Sequence, residues 1–365
     1  MTRPATPTVD VLVVGGGQAG LSMGEQLRRT GCSFIILDAG DRIGHRWRSR
    51  WDSLRLFTPA RYSELPGKSL PLSPWCYPTK DTVADYLEDY AAHHRLPVQL
   101  GTRVTALHRS AGGFRADTTS GPWRGGQVVV ATGPFQTPAV PPAADGLSAE
   151  VVQLHSSEYR RPEQLPTGTV LVVGGGNSGY QIALELAASG REAHLSRGKH
   201  NVSVPQRFMG RDLFWWQDVL RVLDIPGDSR LGRRMRANDS TVIGIPLRGL
   251  TDAGVALHER VTSAGSRSVR FVDDTNVDVD AVVWATGFRS DHSWIRVPGA
   301  LDDDGSPVHH RGHSAVSGLY FLGLSWLHTT GSALLGFVAR DAAHLAETVK
   351  TRCPDERLGD PPALD

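Results

Sequence analysis

The chain carries one seven-residue stretch twice, Val-Leu-Val-Val-Gly-Gly-Gly, at residues 11–17 and again at residues 170–176. The likeness extends further, because Gly20 and Gly31 recur as Gly179 and Gly190. An offset of 159 residues is far longer than the period of a solenoid repeat, which is about 20–50 residues. The sequence therefore predicts one supersecondary unit that is used twice, in separate parts of the chain.

Each copy is predicted to form a strand, a tight glycine turn and a helix. Four apolar residues precede each glycine run, as in a strand of a parallel sheet that is buried on both faces. Apolar residues then recur at helical spacing, and residues 34–37 and 192–195 are candidate second strands. This order predicts an α/β fold with two Rossmann-like dinucleotide-binding domains.

The glycine spacing in both copies is that of a dinucleotide-binding loop, Gly-x-Gly-x-x-Gly, at residues 15–20 and 174–179. The first glycine permits the tight turn, the second leaves room for the pyrophosphate, and the third lets the helix pack on the strand. The phosphates then lie at a helix N-terminus, where free N–H groups favour negative charge. The glycines of these loops are Gly15, Gly17, Gly20, Gly174, Gly176 and Gly179.

The two loops differ in the charge of the residue at the end of each second strand. Asp38 follows Gly20 by 18 residues, and Arg197 follows Gly179 by the same number. A carboxylate here accepts hydrogen bonds from ribose hydroxyls, whereas an arginine accommodates a 2′-phosphate. The first loop is therefore predicted to hold FAD or NAD, and the second NADPH, with Lys199 adding positive charge.

The composition excludes several classes of function. With 39 Lys plus Arg against 38 Asp plus Glu, the 365-residue chain has a formal charge of +1 and no basic excess for nucleic acid. No apolar run approaches the ~18 residues of a membrane span, and no secretory signal is evident. The three cysteines, Cys32, Cys76 and Cys353, predict neither a disulfide framework nor a zinc site. We therefore expect a cytoplasmic protein.

Further motifs give the sequence a family resemblance. An apolar run ending in Ala-Thr-Gly occurs at residues 127–133 and at residues 281–287, and His155-Ser-Ser-Glu-Tyr159 lies between them. Together with the paired glycine loops, these segments resemble class B flavoprotein monooxygenases, over nearly the whole chain. The short chain, with Gly-Gly-Gly-Gln-Ala-Gly at residues 15–20 and Leu-Arg-Leu-Phe-Thr-Pro at residues 54–59, is most similar to the small bacterial flavin-containing monooxygenases.

The resemblance implies an FAD domain that is split by an inserted NADPH domain. Residues 1–135 and 288–365 would form the FAD domain, and residues 136–287 the NADPH domain with a substrate-side insert. Gly44, Arg46 and Trp47 would cover the FAD, Val104 would lie in the strand that contacts adenine, and Asn177 and Ser178 would cap the helix facing the NADPH phosphates. The remaining implied cofactor-binding residues are Gln18, Ala19, Ala39, Ala131, Thr132, Gly133, Ala285, Thr286 and Gly287.

The implied reaction is an NADPH-dependent oxygenation by a C4a-(hydro)peroxyflavin, with dioxygen and a small-molecule substrate as partners. Tyr159 stands where Baeyer–Villiger members usually carry Trp, which favours a sulfide or amine as substrate. Thr58 is the neutral polar side chain near the position where many members set an Asn beside the flavin. The alternatives are ketone oxygenation, a reductase that passes electrons to an acceptor without oxygen insertion, and a flavin-binding sensor.

Two other clusters carry weaker signals. His309-His310-x-x-His313 has the residue type of a metal site, but its turn-rich setting without cysteine favours a structural or flavin-adjacent role. Phe214-Trp215-Trp216 favours packing in the core or in a homodimer over contact with substrate, with membrane-surface association as a weaker alternative.

Overall fold

The computed structural model describes residues 6–198, 201–237 and 241–353. Its strands form two large sheets and four small ones, in the predicted α/β fold. The α-helices are α1 Gln18–Arg28, α2 His45–Arg48, α3 Lys80–His93, α4 Asn177–Ala188, α5 Leu213–Val219, α6 Arg230–Ala237, α7 Leu247–Asp252 and α8 Val338–Lys350. The strands are β1 Thr8–Val14, β2 Phe34–Leu37, β3 Val98–Gln99, β4 Val104–Ser110, β5 Gly113–Thr118, β6 Trp123–Val130, β7 Thr137–Pro138, β8 Val152–His155, β9 Thr169–Val173, β10 Glu192–Ser196, β11 Val202–Val204, β12 Arg207–Phe208, β13 Arg211–Asp212, β14 Thr241–Ile243, β15 Ala256–His258, β16 Val261–Gly265, β17 Ser268–Phe271, β18 Asn276–Asp278, β19 Ala281–Trp284, β20 Phe288–Arg289, β21 Ile295–Arg296, β22 His309–His310, β23 His313–Ser314 and β24 Leu319–Phe321.

The larger sheet is built around the first repeat. Its strand order is β21-β4-β5-β6-β1-β2-β3, and β24 pairs in parallel with the end of β6. β1 lies between β2 and β6, and all three run parallel. Val11, Leu12 and Val13 are fully buried because both faces of this strand are covered. β1, α1 and β2 are the predicted strand–helix–strand unit.

The second sheet is built around the second repeat. Its order is β15-β10-β9-β19-β8, and all its strands are parallel. β9 takes the place of β1, α4 follows it, and β10 is the predicted second strand. The strands of this sheet lie between those of the larger sheet along the chain, and β7 and β20 pair where the chain passes between the two sheets.

The segment after β10 forms an insert that reaches the larger sheet's side of the molecule. Phe214, the first aromatic residue of the Phe-Trp-Trp cluster, is buried against Tyr62, Leu223 and Phe337. At the insert's buried Asp212, one carboxylate oxygen accepts hydrogen bonds from the Tyr77 hydroxyl (2.7 Å) and from the Gln206 amide. The insert therefore joins the two sheets' parts of the chain through an apolar contact and a buried polar one.

The structure corrects the expectation for the cysteines, because Cys32 and Cys353 form a disulfide across 321 residues of sequence. The packing of α8 against α1 brings them together, since Cys32 lies beyond the end of α1 and Cys353 beyond the end of α8. Gln127 of β6 also binds the end of α8, through the carbonyl of Val349 at 3.0 Å. Sequence spacing carries no information about such a distant pair.

The segment before the C-terminal helix is held in a turn, and α8 begins at Val338. The Ser332 hydroxyl oxygen accepts hydrogen bonds from the backbone N–H groups of His328 and Thr329. Thr329 also pairs with Pro226 of the insert, so this segment is tied to the insert by a tertiary contact.

Within the ranges that the structure describes, no helix has the length and apolar character needed to cross a membrane.

Candidate functional site

The first glycine loop (residues 15–20) has the geometry that its three glycines predict. A Cβ on Gly15 would lie 2.5 Å from the carbonyl oxygen of Ala131, and one on Gly20 would lie 1.8 Å from the carbonyl oxygen of Gly15. A side chain is therefore excluded at the turn and where the helix packs. By contrast, no atom lies within 4 Å of the Cβ position of Gly17. This open position is where the pyrophosphate of a dinucleotide approaches.

The second glycine loop (residues 174–179) repeats this arrangement. A Cβ on Gly174 would lie 2.2 Å from the carbonyl oxygen of Ala285, and one on Gly179 would lie 1.9 Å from that of Gly174. The Cβ position of Gly176 again has no atom within 4 Å. Both loops therefore fit a dinucleotide for the same reason. In each, nearby backbone atoms leave no room for a side chain at the first and third glycines, whereas the middle glycine faces open space.

The helices that follow the loops leave their first N–H groups available to an anion. Gly17 caps α1 and Gly176 caps α4, and neither helix has a side-chain cap. The expectation that Asn177 and Ser178 cap α4 is therefore wrong. The Asn177 side-chain oxygen instead accepts the N–H of Ile243 in the insert, at 3.0 Å. Uncapped N–H groups at the start of a helix favour phosphate.

Asp38 follows β2 directly and closes the first loop. Its carboxylate accepts hydrogen bonds from the backbone N–H groups of Gly16 at 2.5 Å and Gly40 at 2.7 Å. The backbone N–H of Thr102 binds the carbonyl of Asp38 at 2.7 Å, and Val104, two residues later, begins β4. Ala39, next to Asp38, is exposed. A negative group therefore stands at the end of β2, as predicted.

Arg197 follows β10 directly, in the place that Asp38 takes after β2. Its Nε atom is buried and has no hydrogen-bond partner among the described residues, and its Nη1 lies 3.5 Å from the Tyr180 hydroxyl. A buried donor without a partner is costly unless a ligand satisfies it. Lys199, predicted for the same site, lies outside the described residues.

The two Ala-Thr-Gly segments hold equivalent places. The N–H of Ala131 binds the carbonyl of Val14, and the N–H of Ala285 binds that of Val173, both at 2.8 Å. Each segment therefore continues a strand beside the first strand of its glycine loop. Beyond them, Gln136 donates a hydrogen bond to the Thr132 hydroxyl at 2.9 Å and to the Gly133 carbonyl at 2.8 Å. The Thr286 hydroxyl donates to the carbonyl of Ala139, which ties the second segment to the chain that follows the first.

The predicted FAD-covering segment lies beside the first loop. Gly44 is in the left-handed region, and a Cβ there would lie 2.8 Å from the backbone of Ala84 in α3. The indole N–H of Trp47 lies 3.3 Å from the side-chain oxygen of Gln18, whose amide in turn donates to the carbonyl of Ala333 at 3.2 Å. Arg46 is exposed. Trp47 and Gln18 are thus brought together at the start of α1.

His155 connects the second sheet to the chain segment that leaves it. Its Nδ1 accepts the backbone N–H of Ser157 at 3.1 Å, so its Nε2 carries the proton that is donated to the Gly287 carbonyl at 2.9 Å. Burial lowers the pKa of His155, which favours this neutral form. Tyr159 is fully buried and its hydroxyl binds Glu185 of α4 at 2.8 Å. Tyr159 therefore helps to hold α4 in place.

One feature near the site was missed in the sequence. Arg50 lies over the aromatic rings of Phe288 at 5.0 Å and Phe135 at 5.7 Å, where the chain passes between the two sheets. No motif marks Arg50, and only its position after Trp47 offered a signal. Thr58, which the sequence did indicate, is buried with its hydroxyl 2.8 Å from that of Ser63.

Comparison with known proteins identifies the family. Residues 12–208 match the model of the pyridine nucleotide-disulphide oxidoreductase family. The chain is 46% identical to an "uncharacterized oxidoreductase CzcO-like" of Geobacillus kaustophilus, covering 93% of this chain and 98% of the relative. It is 28% identical to the "probable indole-3-pyruvate monooxygenase YUCCA1" of Arabidopsis thaliana, covering 95% and 91%.

A solved structure agrees with these relatives. The flavin-containing monooxygenase from Stenotrophomonas maltophilia superposes with a TM-score of 0.80 at 30% identity, covering 96% of this chain and 100% of that one. The chain therefore belongs to the pyridine nucleotide-disulphide oxidoreductase family and, within it, to the class B flavoprotein monooxygenases, enzymes that use FAD and NADPH.

Proposed function

We propose that this flavin-dependent monooxygenase binds FAD at the first glycine loop and NADPH at the second, and oxygenates a sulfur or amine of a small organic substrate. The observation that carries the assignment is the opposite charge of Asp38 and Arg197 at equivalent strand ends. A carboxylate suits an unphosphorylated ribose and repels a 2′-phosphate, whereas a guanidinium accepts one. The unpartnered Nε of Arg197 supports the second half of this assignment.

We propose that the residues predicted from the sequence bind the two cofactors. Those that the structure describes lie in one of the two glycine loops, at an end of a strand, in an Ala-Thr-Gly segment or in the FAD-covering segment. We further propose that the domain boundaries fall at residues 135/136 and 287/288, close to the paired strands β7 and β20. This pairing supports the boundaries because it marks both passages between the sheets.

When bound, the flavin supplies hydride acceptance and the activation of dioxygen. The chain's own residues bind and orient the two dinucleotides and keep water from the reacting atoms. Phe57, Tyr62, Phe214 and Phe337 pack together where the insert meets the larger sheet's side. The nearby Ala333 accepts the hydrogen bond from Gln18 at the start of α1. This aromatic packing supports a water-poor space beside the first loop.

Two alternatives have specific support. The Arabidopsis relative is named for indole-3-pyruvate, a keto acid, which favours oxygenation at a carbonyl group. The family model describes disulphide oxidoreductases, which favours electron transfer without oxygen insertion. Cys76 is the free cysteine among the described residues, and it has no neighbouring partner in a Cys-x-x-Cys motif. The disulphide version of the second alternative therefore lacks its usual reactive pair.

The experiment is turnover of the FAD-loaded protein with NADPH under ¹⁸O-labelled dioxygen. Thioethers, amines and ketones serve as substrates, and mass spectrometry of the product is the readout. We expect one labelled oxygen atom in a sulfoxide or an N-oxide. Label in an ester indicates ketone oxygenation. NADPH oxidation that ends only in hydrogen peroxide contradicts the proposed function.

We also propose a cytoplasmic enzyme that forms a homodimer. Exposed apolar side chains in the insert support the dimer: Met209 is 75% exposed and Leu220 is 65% exposed. The molar mass in solution, from light scattering, tests it. A monomer at micromolar concentration contradicts the dimer.

A further inference from the structure

Arg50 holds an unusual position between the two parts of the chain. Its guanidinium lies over Phe288 at 5.0 Å and over Phe135 at 5.7 Å, within the distance of a cation–π contact. Phe135 follows the first Ala-Thr-Gly segment and Phe288 follows the second. Arg50 itself follows Trp47, on the larger sheet's part of the chain. The guanidinium is therefore fixed at the junction of the two cofactor-binding parts.

The charge of Arg50 is not neutralised. Among the described residues, Arg50 has no ion pair or hydrogen bond with a carboxylate, whereas Arg42 and Arg48 of the same segment both pair with Glu88. Burial lowers the pKa of Arg50, and the nearby guanidinium groups of Arg46 and Arg160 lower it further. Aromatic contacts orient a cation but do not cancel its charge. The junction arginines (Arg46, Arg50 and Arg160) thus form a positively charged cluster, and none of them pairs with a carboxylate among the described residues.

The junction arginines lie near the carboxyl ends of the strands of the second sheet, where a ligand of this sheet is expected to bind. Phe288 directly follows Gly287, whose carbonyl is bound by His155 at the carboxyl end of β8. The order of the second sheet reverses between β9 and β19, and a ligand of such a sheet lies at the carboxyl ends of the strands at this point. Arg197 lies on the opposite side of β9, after β10. The junction arginines are therefore on the side of the second loop away from the proposed 2′-phosphate position.

We propose that Arg50, supported by Arg46 and Arg160, binds a carboxylate of the small-molecule substrate, so that the enzyme prefers anionic substrates. This inference rests on the proposed function and names the substrate class of its site. A planar guanidinium binds a carboxylate with two parallel hydrogen bonds, which also orients the substrate. The exposed ring of Phe135, at 57%, adds an apolar surface beside the charge.

The test is equilibrium binding to the oxidised, FAD-loaded enzyme without turnover. The probes are (phenylthio)acetate and (phenylthio)acetamide, which have the same size and the same sulfur but differ in charge. Calorimetric titration gives both dissociation constants. We expect the wild-type enzyme to bind the acid at least about tenfold more tightly than the amide, the size of a charge-assisted hydrogen bond.

Arg50→Met removes the charge and keeps an apolar side chain against the two phenylalanines. We expect it to lower the acid-to-amide affinity ratio about tenfold or more. Arg50→Lys keeps the charge without the planar fork and should restore part of that ratio. Arg42→Met is the matched control, because Arg42 pairs with Glu88 away from the junction, and its ratio should equal that of the wild type.

Three results would overturn the inference. The first is a wild-type enzyme that binds the acid no better than the amide. The second is an Arg50→Met variant that weakens both probes equally, which indicates a structural role. The third is an Arg50→Met variant that weakens NADPH binding and leaves the acid-to-amide ratio unchanged, which assigns the anion to a cofactor phosphate. None of these depends on oxygen insertion, so they are distinct from a failure of the ¹⁸O experiment.

Discussion

The two glycine loops share a backbone and differ in what stands at the end of the next strand. In both, the first and third glycines are closed by backbone oxygens and the middle one is open. After β2, the carboxylate of Asp38 is satisfied by two backbone N–H groups, whereas after β10 the Nε of Arg197 has no partner among the described residues. This difference supports the proposal that the glycines provide for dinucleotide binding in general, whereas the strand-end residue selects which dinucleotide binds.

The largest effect on stability should come from adding a side chain at the third glycine of a loop. Gly179→Ala places a methyl group 1.9 Å from the carbonyl oxygen of Gly174, and neither backbone atom can move freely. We expect a loss of about 3 kcal/mol or more in the free energy of unfolding, at the upper end of overpacking costs. Chemical denaturation followed by circular dichroism measures it.

The matched variant is Gly176→Ala, whose Cβ would meet no atom within 4 Å. It should unfold at the wild-type denaturant concentration, yet bind NADPH at least about tenfold more weakly, because the methyl group takes the place of the pyrophosphate. Equal unfolding free energies for the two variants would contradict the closed-and-open distinction between these glycines.

The first repeat is joined to the C-terminal segment by a disulfide, and the second repeat has no cysteine at the equivalent position. Cys32 follows the first repeat's helix, and the corresponding residue of the second repeat is Arg191, whose side chain donates to the carbonyl of Leu165 at 3.0 Å. Cys353→Ser should lower the free energy of unfolding by about 2–4 kcal/mol under oxidising conditions. Denaturation with and without reductant measures this.

Cys76→Ser is the control for that experiment, because Cys76 is exposed and unpaired. Its stability should depend on reductant as that of the wild type does. A Cys353→Ser variant that is as stable as the oxidised wild type would contradict a stabilising role for the disulfide.

The choice of nicotinamide cofactor should depend on Arg197. Arg197→Ala should raise the KM for NADPH about tenfold or more and change that for NADH little, because one charge-assisted contact to the 2′-phosphate is lost. Steady-state kinetics with both cofactors gives the ratio. If the preference for NADPH over NADH stays the same, the 2′-phosphate does not lie at Arg197.

Asp38→Ala is the corresponding change in the first loop. It removes the acceptor of two backbone N–H groups, so FAD should be lost more readily during dialysis while the preference for NADPH over NADH stays unchanged. Flavin absorbance per protein measures retention. A changed nicotinamide preference in this variant would contradict separate sites.

A smaller effect, on the pH dependence of stability, should distinguish the contacts that hold the two Ala-Thr-Gly segments. Gln136 holds the first Ala-Thr-Gly segment and cannot titrate, whereas His155 holds the second through Gly287. Because burial lowers the pKa of His155, its stabilising contribution is complete above its unfolded pKa of about 6.5 and is lost as pH falls through the lower folded value. His155→Gln should therefore lose less stability than the wild type between pH 7.5 and pH 5.5, as measured by thermal unfolding. An equal loss in both proteins would show that His155 does not contribute to the pH dependence.

The sequence predicted the parts of this site that depend on local backbone geometry. Glycine spacing and the apolar strands before it are sufficient for the two βαβ units, because turn, strand and helix are contiguous in the chain. The charges of Asp38 and Arg197 were predictable for the same reason, since a fixed distance from the glycine places each at a strand end.

The features that the sequence missed depend on distant contacts. Cys32 meets Cys353 only because α8 packs on α1, and Asn177 binds the insert instead of capping α4. Arg50 acquires its position from two phenylalanines that lie far along the chain. None of these pairs has a spacing that a sequence pattern can reveal.

A crystal structure of the protein with both FAD and NADPH bound would show whether the two strand-end charges assign the two dinucleotides to their loops. We expect the adenosine ribose of FAD beside Asp38 and the 2′-phosphate of NADPH beside Arg197. A structure in which the nicotinamide dinucleotide occupies the loop at residues 15–20 would contradict this assignment.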